Sequence, residues 1–187
     1  MPILGIIASS LLAAAGDYES IATAIGTGSS NTITFSSISG TYAHLQLRYI
    51  ARSTTGSAGT GGIQFTANGD STSGNYSFHR LTGGGSGSAG AYGQSGLDYI
   101  GQIGSNGNAA SLYAVGILDI LDYTSANKGK TFRMMTGSDY NNTLGVIALQ
   151  TQGWFATSAA ITSLTLTSSL GNFDTNSSFA LYGIKGA

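Results

Sequence analysis

With 187 residues, 41% of them hydrophobic and only 8% charged, the chain is long enough for one sizeable core and lacks the composition of a disordered polymer. A net charge of −1 leaves no basic footprint for nucleic acid, and the lack of cysteine excludes disulfide frameworks, zinc–thiolate sites and thiol chemistry. Glycine, at 29 residues, is about twice its usual share. With abundant Ser, Thr and Asn it suits short strands joined by turns, and an uncharged polar surface that loses little on burial against neighbours.

The first fifteen residues, MPILGIIASSLLAAA, place Ala13 and Ala15 like a signal-peptide cleavage site. No Lys or Arg precedes the apolar run, Gly5, Ser9 and Ser10 interrupt it, and it is too short to span a bilayer. The expectation is a retained apolar N-terminal arm over residues 1–15, ahead of a single domain over 16–187. Ile3, Leu4, Ile6, Ile7, Leu11 and Leu12 are its candidate partner-interface residues, because an apolar terminus needs a surface to hold it.

Period-two alternation then recurs in short runs. Ile21–Ile25 and Asn31–Phe35 flank a turn at 26–30 and suggest a hairpin. His44–Arg52 is the clearest strand: Leu45, Leu47, Tyr49 and Ala51 share one face, polar residues the other, and only Ile50 is out of place. Gly62–Ala67 ends at the turn signal Asn68–Gly69–Asp70, and Asn75–Leu81 follows. The segment TGGGSGSAGAYGQSG, Thr82–Gly96, is expected to be a flexible loop. Leu97–Ile103 comes next, then the nearly all-apolar Leu112–Leu121, expected to be a central strand. Lys130–Gly137, Gly145–Gln152, Ile161–Thr167 and Ser178–Lys185 complete the series. This pattern predicts an all-β domain, an antiparallel β-sandwich of jelly-roll-like character.

No catalytic template finds its residues. Lys128–Gly129–Lys130–Thr131 ends like a P-loop, but Thr124 occupies the position of the motif's first glycine. No serine sits in G-x-S-x-G, and His44 and His79 have no partner at metal or nucleophile-base spacing. Asp119 and Asp122 would face opposite sides of a continuing strand, so they are no glycosidase pair. Lys128, Lys130 and Arg133 suit a solvated strand edge that discourages strand addition. Asp139, Asn141 and Asn142 suit a tight turn better than a cation site. Aromatic residues Tyr92, Tyr99, Tyr113, Tyr140 and Trp154 lie beside Asn-rich loops. Among them Tyr140, Asn141, Asn142 and Trp154 are candidate contacts for a glycan or host receptor, since rings stack on sugar faces and amides bond hydroxyls; core or rim packing is the ordinary use of such rings. No cofactor and no metal is expected.

Four segments carry a family likeness: GDYESIAT (Gly16–Thr23), FSSISGTYAHLQLRYIAR (Phe35–Arg52), ILDILDY (Ile117–Tyr123) with KGKTFR (Lys128–Arg133), and the closing FALYGIKGA (Phe179–Ala187). Together they resemble a group of small virion-associated proteins of tailed bacteriophages, including phages of cyanobacteria. The resemblance implies a non-enzymatic β-sandwich assembled in the host cytoplasm and displayed on the virion. The leading expectation is a decoration or cement protein on the capsid exterior, with other virion proteins and further copies of itself as partners, and with no nucleic acid or membrane. The alternatives are a tail-attached or fibre-tip protein that meets a host surface glycan, and a free carbohydrate-binding module.

Overall fold

The computed structural model describes residues 17–57, 59–85, 87, 89–108, 111–139, 145–156 and 159–186. Among them the alternating runs become β1 (Tyr18–Ile25), β2 (Thr32–Phe35), β3 (His44–Ala51), β4 (Thr60–Ala67), β5 (Tyr76–Gly84) and β6 (Ala89–Ser95). The later strands are β7 (Tyr99–Gly104), β8 (Ala114–Leu121), β9 (Lys130–Ser138), β10 (Val146–Trp154), β11 (Leu164–Ser168) and β12 (Ser178–Ile184). Among the described residues one 3-10 turn, Ser73–Asn75, leads into β5.

The strands form two antiparallel sheets, one ordered β1-β12-β3-β8-β9-β10-β5-β6 and one ordered β2-β11-β4-β7. The chain is an antiparallel β-sandwich, as the alternation predicts. Their inner faces supply the core: Leu45, Leu47 and Tyr49 from β3 and Leu118 and Ile120 from β8 on one side, Ile63 and Phe65 from β4 and Leu164 and Leu166 from β11 on the other. Tyr49 also ties the layers, its hydroxyl lying 2.8 Å from Thr136 Oγ1 and donating to the Gln102 carbonyl at 2.9 Å.

Three local expectations are corrected. β1 and β2 are not a hairpin; β1 pairs with β12 and β2 with β11, in different sheets, because each completes the edge of a separate layer. The glycine-rich Thr82–Gly96 segment is not simply a loop. β5 runs on to Gly84 and β6 returns beside it, giving an edge hairpin whose last strand is exposed throughout. The lysine cluster is not on a sheet edge either, since β9 lies between β8 and β10. Lys130 is buried, and its ammonium donates to the carbonyls of Ser125 and Lys128, which close the preceding turn. Burial holds its pKa below the usual lysine value.

Leu112–Leu121 does supply a central strand, β8, between β3 and β9. The turn after β4 is also as expected, with Asn68 and Gly69 at φ +52° and +72°. The arm expected over residues 1–15 lies outside the described residues.

Candidate partner interface

β10 is inside out. Its sequence VIALQTQGW places Gln150 and Gln152 toward the core and Ile147 and Leu149 toward solvent, the reverse of what a half-buried strand needs. Trp154 fixes this register: it is buried at the end of β10, and its indole N–H donates to Asp70 Oδ2 at 2.7 Å. The buried glutamines serve the opposite sheet. Gln150 Nε2 donates 2.8 Å to the carbonyl of Ile100, and Gln152 Nε2 donates 2.8 Å to that of Phe65. Ile100 is the residue skipped by the bulge between β4 and β7, so its carbonyl takes a side-chain donor in place of a ladder partner.

The neighbours of β10 extend the inversion. Ile147 is 66% exposed, Leu81 57%, Met135 55%, Val115 52% and Leu149 51%. Register aligns them into two adjacent rows across the eight-stranded sheet. One reads Ile25, Ser178, Ile50, Val115, Gly137, Ile147, Gly83, Ala89. The next reads Thr23, Ala180, Arg48, Ile117, Met135, Leu149, Leu81, Ala91. Small residues between large ones leave shallow hollows in line: about 380 Å³ around Ile25 and Ile50, about 340 Å³ around Met135 and Gly137, and about 360 Å³ around Leu81 and Ile147.

Arg48 is the one formal charge in the two rows; it lines two of the hollows and reaches toward the next row. Its Nε donates to Gln46 Oε1 at 2.7 Å, and its guanidinium carbon sits 5.7 Å and 5.6 Å from the ring centroids of Tyr18 and Tyr182. Gln46 in turn donates to Asp119 Oδ1 at 2.8 Å, and Asp119 Oδ2 accepts from Arg133 at 2.7 Å. The third row is therefore a hydrogen-bonded polar chain, one carboxylate between two guanidinium groups, that borders the apolar field along one side. Apolar contact beside satisfied polar groups is the make-up of an interface core and its rim.

Other expected site residues lie elsewhere. Tyr140, Asn141 and Asn142 are outside the described residues, as are Ile3, Leu4, Ile6, Ile7, Leu11 and Leu12. Trp154 is no glycan platform, because its ring is 1% exposed and its polar edge is engaged by Asp70. Tyr113 is half-buried and donates to Asp174, while Tyr92 and Tyr99 are exposed on different sheets. The described aromatic candidates thus do not converge on one surface.

His44 and His79 both face outward, on strands four places apart in the sheet, hence about 19 Å apart. His44 Nδ1 accepts the Asp122 N–H at 3.0 Å, and Asp122 pairs with Lys128, whose hydrogen bond holds the carboxyl below its ordinary value. Among the described residues no group of three or more His, Asp or Glu could hold a metal ion, and no helix is long and apolar enough to cross a membrane.

The inverted strand is the feature that sequence reading missed. Its signal was present in Gln150 and Gln152 alternating with Thr151 and Leu149, but which face met the core could not be read without the partner sheet. No family model, no curated protein and no solved structure matches the chain.

Proposed function

We propose that the chain is a non-enzymatic structural protein of a tailed-bacteriophage virion, a decoration or cement protein on the capsid exterior. The observation that carries its assembly role is β10, which buries glutamines and spends Ile147 and Leu149 on the surface. Exposed apolar side chains in a contiguous field give a free monomer nothing and invite aggregation, so they make sense as one half of a contact. The scarcity of charge elsewhere, 8% of residues, supports the same reading, because hydroxyl- and amide-covered surfaces are buried at small cost. The virion assignment itself rests on the resemblance of the four sequence segments.

The test is to locate and count the protein on purified particles by cryo-electron microscopy and quantitative mass spectrometry. Hundreds of copies on the shell are the expected result. A handful at the tail would replace the capsid assignment by a tail one, and absence from particles would end the virion reading.

A further inference from the structure

We infer that the outer face of the four-stranded sheet binds an uncharged pyranose sugar, with the Tyr99 ring as its platform and the Gln64 and Gln102 amides as its hydrogen-bonding groups. The site lies on the opposite side of the sandwich from the apolar rows, and it goes beyond the virion assignment without depending on it.

The backbone places the ring. β7 carries one extra residue, Ile100, where its register against β4 shifts between Ile63 and Gln64. Such a bulge re-aims the side chain beside it. Tyr99 is set over Gly62 of the neighbouring strand, where a Cβ would come within 2.2 Å of the tyrosine Cβ and 3.0 Å of its Cγ. Any side chain at 62 would displace it, and with glycine there Tyr99 stays 38% exposed. Tyr18 and Tyr92, exposed on the other sheet, each have an arginine near the ring, at 5.7 Å and 5.1 Å. Tyr99 has no aromatic or cationic partner among the described residues, so a ligand displaces nothing to reach it.

Unspent polar groups surround it. Register sets Tyr99, Gln64, Thr167 and Thr32 in one row, and Gln102 opposite Gly62 in the next. Neighbouring strands are about 4.8 Å apart and alternate residues of one strand about 6.7 Å apart, close enough for one small ligand to touch the ring and both amides. No described residue hydrogen-bonds the Tyr99 hydroxyl, the side-chain amides of Gln64 and Gln102, or the Thr167 hydroxyl. Thr34 and Thr165, by contrast, bond each other at 3.0 Å, and Gln150 and Gln152 are spent on carbonyls inside the core.

Charge and area choose the class of ligand. None of these side chains is charged, so the face offers no counter-charge to a phosphate or a carboxylate. Four strands and two rows span roughly 14 Å by 7 Å, on the order of 100 Å², far below the ~800 Å² per partner of a stable protein interface. A pyranose suits both limits. Its C–H face packs on an aromatic ring, and each flanking amide can donate to one hydroxyl and accept from another.

The test screens the full-length chain on an array of neutral and acidic glycans, then titrates the methyl glycoside of the best-retained hexose by saturation-transfer NMR. Retention of a neutral pyranoside is the expected result. Tyr99→Ala should raise its dissociation constant roughly tenfold or more, and Tyr99→Phe should keep most of the affinity because it keeps the ring. Gln64→Ala and Gln102→Ala should each raise it several-fold. Met135→Lys, at an exposed position on the opposite face, should leave it unchanged, and circular dichroism checks the fold of every variant. Retention of no neutral glycan overturns the inference, as does retention of acidic glycans alone. So does affinity that survives Tyr99→Ala in a folded chain; should that variant not fold, unchanged affinity in both glutamine variants has the same force. A chain that binds the sugar but is absent from particles removes only the virion assignment, and copies on the shell that bind no glycan remove only this site.

Discussion

Tyr49 can cross its neighbouring strand because residue 116 has no side chain. The two are register partners on β3 and β8, and a Cβ at Gly116 would come within 2.3 Å of the tyrosine ring. The ring uses that floor to reach Thr136 and the Gln102 carbonyl beyond it. His79 lies over Gly93 in a similar way on β5 and β6. Much of the glycine that suggests loops in this sequence is thus strand glycine under a ring, which composition alone does not distinguish from turn glycine. Gly116→Ala is expected to lower stability by about 1–3 kcal/mol, because the ring must leave its position. Gly74→Ala, where a Cβ meets open space, should change it by no more than about 0.5 kcal/mol. Urea denaturation of both variants checks this, and equal losses would remove the close-approach argument.

The same scale holds an acid-sensitive contact. The Trp154 indole N–H, then the Thr72 and Asn75 donors, hold the Asp70 carboxyl below its ordinary value of 3.8. A carboxyl whose folded pKa is depressed adds stability that is fully present above its unfolded value and is lost as pH falls through the folded one. Thermal stability should therefore fall as the pH drops below about 4, and Asp70→Asn should flatten that part of the profile while lowering the plateau at neutral pH. An unchanged acid limb in Asp70→Asn would assign the loss to other carboxylates. Burial of Trp154 is the ordinary use of such a ring, but nothing local in the sequence announces that its partner is an aspartate from a distant turn.

At the level of the element, legibility followed locality. β3 could be read almost residue by residue, because Leu45, Leu47, Tyr49 and Ala51 carry their burial in their own alternation. The misplaced Ile50 was a clue of a different kind, since it belongs to the apolar outer row. Pairing was illegible wherever strands close in sequence join different sheets, as β1 and β2 do. β6 was hidden by its composition, AGAYGQS, which offers no apolar alternation at all. It is held by β5 alone, at the end of the eight-stranded sheet, and every residue of it is exposed. Local opening at such an edge costs little compared with opening the core strands. Amide hydrogen exchange of 89–95 should consequently be orders of magnitude faster than that of 114–121 in β8, which has a partner on each side. Comparable protection of the two would mean that β6 is covered in solution.

For the whole molecule, the two exposed sheet faces differ in their chemistry. Threonines, Gln64 and the exposed ring of Tyr99 lie on the outer face of the four-stranded sheet, while the outer face of the eight-stranded sheet concentrates apolar side chains and sets Arg48, Asp119 and Arg133 along one border of them. The sequence carries both facts only as residue counts, because the register that gathers them is set by contacts between strands far apart in the chain. This division has a solution signature that separates it from association through ion pairs. A contact with no charge in its centre has nothing for salt to screen, so raising sodium chloride from about 0.05 M to about 0.5 M should leave the dissociation constant within about twofold. Replacing chloride by sulfate strengthens apolar burial and should tighten it. Rebinding of the purified chain to particles depleted of it, followed across both series, measures this directly. Weakening by sodium chloride would instead place Arg48, Asp119 or Arg133 inside the contact, and the two apolar rows would lose their claim to be its centre.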